Sequence, residues 1–313
     1  MPMFFHESRS FAALNSQLFD FIHTSSAALW NLRWQVQGYV SVSPQATKQD
    51  LSDRFTSGSG IPANNLRGTC IDTAWEDQLG QFAQIVATNL IAMYESWAEE
   101  LMLKFGNKNL VKQVQFPSKG TYGRTQAGVR DALATARATT SSDMQRAFHP
   151  VYAAQQKYSL SHLDALLALY RYHKEVRNAV MHGGGKANPI TEEAWKHAAT
   201  LTAADIGSRT SPLTSKVTDG QKVTSDLREA IQLSDVLLRL VRTIDAELCV
   251  TGIAEQEFVT GWRANQSSRQ LRDLPADAAR REKRLKVLSR KAGYMTPADT
   301  AAVHQIGIRA GLL

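Results

Sequence analysis

Cysteines and long apolar runs are scarce in this chain of 313 residues. Its two cysteines, Cys70 and Cys249, lie far apart and form no CxxC motif or Cys/His cluster, which favours a reducing compartment over a disulfide framework. No stretch approaches the ~18 consecutive apolar residues of a membrane-spanning helix, and the first residues lack the basic start and apolar run of a signal peptide. The sequence therefore predicts a cytoplasmic protein that does not enter a membrane.

Patterns typical of β-strands are also missing. No alternation of valine, isoleucine and tyrosine is long enough for a sheet, whereas apolar residues recur at helical spacing through most of the chain. Hydrophobic residues make up 43% of the chain and charged residues 21%, so a sizeable core can be buried. The sequence predicts an all-α protein.

The helical periodicity predicts an antiparallel bundle with extra helices at both ends. Its core would be three long helices at 72–105, 159–182 and 224–250, joined by an N-terminal helix over 10–34. Residues 35–69 are rich in Gly, Ser, Pro and Thr and predict a long loop with a short extended piece at 37–42. The predicted organisation has three parts: an N-terminal helix and loop at 1–70, a helical domain at 71–252 with an insertion at about 107–158, and a basic C-terminal helical extension at 253–313.

Positive charge is concentrated near the C-terminus. The chain has a net charge of +7, and residues 277–291 contain seven basic and two acidic side chains. Such a cluster attracts a polyanion such as RNA, or an anionic membrane surface. A solvated helix face explains the cluster equally well when it is considered alone.

The segment RNAVMH at 177–182 contains the side chains best suited to catalysis. Arg177, Asn178 and His182 supply a fixed cation, a hydrogen-bonding amide and a proton shuttle, which metal-free cleavage of RNA requires. On a regular helix Arg177 and His182 lie about 140° apart and roughly 7.5 Å apart along the axis. Either the helix end loosens at the three glycines that follow, or a second copy brings Arg and His together. The second option predicts a homodimer with a shared cleft on its symmetry axis.

Other residues are candidates for supporting roles. Arg171 and Lys174 precede Arg177 on or near the same side of the helix and predict a basic track for an RNA backbone. Four tryptophans, Trp30, Trp34, Trp75 and Trp97, are predicted to belong to the core rather than to stack on bases.

The segment at 177–182 resembles the R-[N/D/H]-x3-H signature of ribonucleases of the HEPN (higher eukaryotes and prokaryotes nucleotide-binding) superfamily. A softer resemblance is the Tyr-Glu-Ser-Trp stretch at 94–97, which is similar to an acidic and aromatic patch on an earlier HEPN helix and makes Glu95 a candidate substrate-binding residue. The resemblance covers about 72–250. It implies a HEPN-like helical bundle in which Arg177, Asn178 and His182 are catalytic.

The resemblance also implies a function. The protein would be a dimeric, metal-independent endoribonuclease that needs no cofactor, acting as a bacterial toxin, an abortive-infection protein or a phage-defence effector, with an antitoxin or a sensor protein as a further partner. Two alternatives stay open: a non-catalytic helical module that binds nucleic acid or protein, and a structural dimerisation domain.

Overall fold

All regular structure in the described residues is helical. The computed structural model describes residues 2–60, 65–106, 108–115, 127–265 and 274–313, and within them only two isolated β-bridges occur. This confirms the all-α prediction. The α-helices are α1 His6–Val42, α2 Lys48–Phe55, α3 Trp75–Leu103, α4 Lys108–Gln115, α5 Ala127–Ala136, α6 Ser142–Ala147, α7 His149–Ala153, α8 Leu163–His182, α9 Pro189–Ala198, α10 Leu227–Leu248, α11 Gly252–Ala264, α12 Ala278–Lys291 and α13 Thr300–Arg309. None of these helices is long and apolar enough to cross a membrane.

Four long helices, α1, α3, α8 and α10, form the central bundle. The start of α1 lies beside the end of α3, where Trp97 Nε1 donates to Ser8 Oγ at 3.1 Å. The far part of α1 lies beside the start of α3, where the rings of Trp30 and Trp75 are 5.0 Å apart. The two helices are therefore antiparallel.

The helix α8 runs antiparallel to both α3 and α10. The rings of Tyr94 in α3 and Tyr170 in α8 are 4.7 Å apart, while the earlier part of α3 lies beside Met181 at the end of α8. At the other end, Ser159 just before α8 donates its backbone N–H to Thr243 Oγ1 of α10 at 2.9 Å. These contacts bring the end of α8 to the first half of α3.

The N-terminal residues are part of the core. Phe4 and Phe5 are fully buried, and their backbone N–H groups donate to the carboxylate of Asp245 in α10 at 2.6 and 3.0 Å. Asp245 is 1% exposed. Burial raises its pKa to about 6, although the hydrogen bonds from the two phenylalanines and from Ser8 oppose that shift.

The prediction of a loop over residues 35–69 is wrong in two places. Residues 35–42 continue α1, and α2 forms within the remainder. A small second core explains the helical extension, because Val36 packs with Leu51, Leu66 and Cys70. A capping box of Thr47 and Asp50 starts α2, and this signal is visible in the sequence.

The segments around the bundle are largely helical. The insertion predicted at about 107–158 contains α4, α5, α6 and α7, and its residues 107 and 116–126 lie outside the described residues. The last helix begins at Thr300 with Asp299 as its N-cap. The helices after residue 252 share the main core, to which they contribute Phe258, Trp262, Leu285, Val303 and Ile306.

One buried histidine makes stability depend on pH. His173 in the middle of α8 is 4% exposed, and its ring lies 4.8 Å from that of Tyr172. Burial lowers the pKa of His173 to about 4. The unfolded chain binds a proton here below pH ~6.5, whereas the folded chain resists it. The stability that depends on neutral His173 is therefore present above pH ~6.5 and is lost as the pH falls towards 4.

Replacing His173 with leucine should remove this acid sensitivity. Between pH ~7 and ~5 the wild type should lose about 2 kcal/mol more unfolding free energy than His173→Leu does. Urea denaturation of both proteins at both pH values measures the difference, and comparing the two pH values cancels any constant packing cost of leucine. Exposed His23, replaced by leucine, is the matched control and should leave the pH dependence unchanged. Parallel pH profiles for the wild type and His173→Leu would contradict this prediction.

Candidate active site at the end of α8

The helix α8 stays regular up to His182 and stops at an anchored turn. The backbone N–H groups of Gly183 and Gly185 donate to Ala179 O at 2.9 and 3.1 Å. A side chain on Gly183 would place its Cβ 2.8 Å from the oxygens of Ala179 and Lys186, so glycine is required there. Gly185 O in turn accepts from Val223 N at 2.8 Å. The turn is therefore tied to the segment before α10, and the helix end is not loosened.

Glu95 in α3 joins two cations of α8. Its Oε1 lies 2.7 Å from Arg177 Nη2 and 2.8 Å from Lys174 Nζ. The end of α4 closes the cluster, because Lys174 Nζ donates to Gln115 O at 2.6 Å and Gln115 Nε2 donates to Glu95 O at 2.7 Å. Burial lowers the pKa of Lys174, and the carboxylate of Glu95 counteracts that shift.

The charge balance of this cluster suits an anion. Two cations share one carboxylate, so a net positive charge remains on Lys174 and Arg177. The Arg177 side chain is 18% exposed and its guanidinium is held at one edge by Glu95. A planar guanidinium in a fixed orientation is well suited to bind a phosphate group.

Asn178 and His182 lie on the accessible side of the same helix end. His182 is exposed and Asn178 half-buried. Within the described residues neither side chain forms a hydrogen bond, and both are available to a ligand. Because α8 is regular here, Arg177 and His182 of one chain point about 140° apart. Within one chain, Arg177 contacts Glu95, and the geometry of the helix directs it away from His182.

The prediction that Arg171 and Lys174 form an exposed basic track is wrong. Arg171 and Lys174 are 7% and 6% exposed, because the first half of α8 is covered by neighbouring helices. Lys174 takes part in the cluster with Glu95, and Arg171 lies in the protein interior. Sequence spacing places both residues near the same side of α8 as Arg177, but it does not reveal how many elements cover that side.

An apolar surface at the end of α8 was not predicted from the sequence. Ile85 is 54% exposed and Met181 56% exposed, and they line a groove of about 440 Å³ between α3 and the end of α8. Gln81, Gln84, Thr88, Asn89 and Val180 complete its walls. Large exposed apolar side chains next to each other are typical of contact surfaces.

The tryptophan predictions are only partly right. Trp97 is buried, whereas Trp30 is 40% and Trp34 59% exposed.

No group of three or more His, Cys, Asp or Glu side chains that could hold a metal ion occurs in the described part of the chain.

Comparison of this chain with protein-family models, with curated proteins and with solved structures finds no match.

Proposed function

We propose that the protein is a metal-independent endoribonuclease whose active site is built from Arg177, Asn178 and His182. The observation that carries this proposal is the Glu95–Arg177 contact, with an accessible amide and an accessible imidazole on the same last turns of α8. These groups provide the cation, the hydrogen-bonding group and the proton carrier that RNA cleavage needs.

The proposed reaction is an internal transesterification. The 2′-oxygen of RNA attacks the adjacent phosphorus while a base removes the 2′-proton, and the bond between phosphorus and the 5′-oxygen breaks as that oxygen receives a proton. The products are a 2′,3′-cyclic phosphate and a 5′-hydroxyl. In this scheme His182 carries the protons, Arg177 offsets the negative charge that develops on the phosphorane, and Asn178 orients the imidazole or a phosphate oxygen.

A composite site in a homodimer is part of the proposal. The regular helix end keeps Arg177 and His182 of one chain apart, and the anchored glycine turn argues against a swing of His182. A two-fold contact through Ile85 and Met181 would place the two copies of the α8 end close to each other, since an isologous interface repeats the same patch on both partners. Each cleavage site would then take Arg177 from one subunit and His182 from the other.

The proposed biological setting rests on the resemblance to HEPN ribonucleases. An RNA-cleaving protein of this kind suits a toxin or a phage-defence effector whose activity is held by an antitoxin or a sensor protein. The groove at Ile85 and Met181 lies at the end of α8, so a protein bound there would be placed to control access to the site.

Cleavage of RNA by the purified protein in the presence of EDTA tests the proposed function. The expected products carry 2′,3′-cyclic phosphate and 5′-hydroxyl ends, which end-specific ligation and sequencing identify. A 2′-O-methyl version of the same RNA should stay intact, because its 2′-oxygen cannot attack. A strict dependence of cleavage on Mg²⁺, or cleavage of the methylated RNA, would contradict the mechanism.

The alternative is a non-catalytic helical module that binds nucleic acid or protein. The strongly basic surface of α12 favours it. Intact RNA in the EDTA assay, together with tight RNA binding, would support this alternative over the ribonuclease.

A further inference from the structure

The helix α12 carries a one-sided positive surface. Seven of its residues are basic and only Glu282 is acidic: Arg280, Arg281, Lys283, Arg284, Lys286, Arg290 and Lys291. At about 100° per residue, Lys283, Lys286, Arg290, Arg280 and Lys291 fall within an arc of roughly 140°. Leu285, Leu288 and Ser289 are buried on the other side. The arc therefore faces solvent while the helix is fixed to the core.

The cations of this arc are not neutralised by nearby carboxylates. In the described residues, the one ion pair on α12 joins Lys286 to Glu282. Arg280, Lys283, Arg290 and Lys291 are exposed, and none of them has a carboxylate partner there. Asp277 caps the helix by accepting from Arg280 N at 2.8 Å, which uses the backbone and leaves the guanidinium available.

The structure favours a nucleic acid over a membrane as the partner. A helix that lies on a lipid surface needs bulky apolar side chains beside its charges, so that they insert among the acyl chains. No large apolar side chain of α12 is strongly exposed, because Leu285 and Leu288 point into the core. A row of arginine and lysine without apolar neighbours fits the phosphate backbone of a nucleic acid.

The basic arc is separate from the candidate active site. α12 packs on α11, and Glu257 of α11 pairs with Lys104 at the end of α3. Glu95 lies nine residues before Lys104, which is roughly 13 Å along the axis of α3. Removing the charges on α12 therefore leaves the cluster of Glu95, Lys174 and Arg177 untouched.

We propose that the exposed face of α12 is a binding site for the sugar-phosphate backbone of RNA, distinct from the residues that cleave it. The choice of RNA among polyanions rests on the proposed function. Phosphate contacts hold a strand in position without reading its sequence, so α12 supplies affinity to many RNAs. The cleavage site then acts on the portion of the strand that reaches α8.

A fourfold variant tests this site: Arg280→Gln, Lys283→Gln, Arg290→Gln and Lys291→Gln. Its binding to a fluorescent 2′-O-methyl oligoribonucleotide is measured by anisotropy between about 50 and 200 mM salt. The dissociation constant should rise at least ~10-fold, and the slope of log affinity against log salt should fall by about 2.8, since each single-strand phosphate contact contributes ~0.7. The control carries Lys48→Gln, Arg54→Gln, Lys196→Gln and Lys216→Gln, which removes the same charge from exposed positions elsewhere, and it should stay within about twofold of the wild type.

The possible results of this experiment lead to different conclusions about the α12 site. Unchanged affinity and slope in the fourfold α12 variant, or an equal loss in the control, would overturn the α12 site. Binding of the wild type to phosphatidylserine-containing vesicles, lost in the variant while RNA binding persists, would also overturn it. Because the methylated RNA cannot be cleaved, failure of the ribonuclease proposal is recognised separately, as binding of ordinary RNA without cleavage.

Discussion

Replacing His182 with alanine should lower the rate of RNA cleavage by about 10²–10⁴-fold, since a positioned general acid or base typically contributes that much. His182 is exposed at the end of α8 and forms no hydrogen bond within the described residues, so its loss removes the proton carrier without removing a structural contact. Thermal unfolding should therefore be unchanged. Single-turnover cleavage of a defined RNA measures the rate, and exposed His23, replaced by alanine, is the matched control.

Mixing two inactive variants tests whether the site is shared between subunits. If Arg177 of one chain works with His182 of the other, a heterodimer of Arg177→Ala and His182→Ala contains one site with both residues intact and one with neither. Random exchange makes half of the dimers mixed, so about a quarter of the wild-type activity should return. A site within one chain would return none. Wild-type activity in the single His182→Ala variant would refute the role of this residue altogether.

Replacing Asp245 with alanine should cost about 3 kcal/mol of unfolding free energy, because it leaves two buried backbone N–H groups without an acceptor. Each such unsatisfied group costs roughly 1–3 kcal/mol. Both donors, Phe4 N and Phe5 N, lie within 3.0 Å of the carboxylate, and Asp245 is 1% exposed. Losing the desolvated charge offsets part of this cost, since burial already raises the pKa of Asp245 to about 6. Urea denaturation at neutral pH measures the change.

Asparagine at the same position separates the hydrogen bonds from the charge. Asp245→Asn keeps one acceptor oxygen and should cost less than alanine does. The raised pKa means that the stability held by protonated Asp245 is complete below pH ~3.8 and is lost as the pH rises through 6. The wild type should therefore gain about 1 kcal/mol relative to Asp245→Asn when the pH falls from ~7 to ~5. Equal stability of the alanine variant and the wild type would disprove the anchoring role of the carboxylate.

Periodicity predicts the long helices well because apolar residues recur at helical spacing along each of them. The helices at 72–105, 159–182 and 224–250 correspond to α3, α8 and α10 within a few residues at each end. It fails at the end of α1, where Gly38 and neighbouring polar residues hide the helical spacing of Leu32, Val36 and Tyr39. Those side chains are covered by α2 and by residues near Cys70, and a contact between distant segments leaves no trace in a local pattern.

The candidate site also depends on contacts between distant segments, which local sequence patterns do not predict. Spacing on α8 places Arg177 and His182 about 140° apart, because it follows from helix geometry alone. The burial of Lys174 and the contribution of Gln115 depend on where α4 packs, and no local motif encodes that. The Glu95–Arg177 contact joins residues that are 82 positions apart, so only the softer likeness at 94–97 pointed towards it.

The attachment of Phe4 and Phe5 to Asp245 has a consequence for biosynthesis. These partners are 241 and 240 positions apart. At ~5–20 residues per second, a ribosome needs roughly 12–48 s to make the second partner after the first. During that interval two aromatic rings are exposed on the nascent chain and are available to chaperones. Messages broken before the codons of α10 would yield polypeptides that lack the carboxylate to which Phe4 and Phe5 are attached.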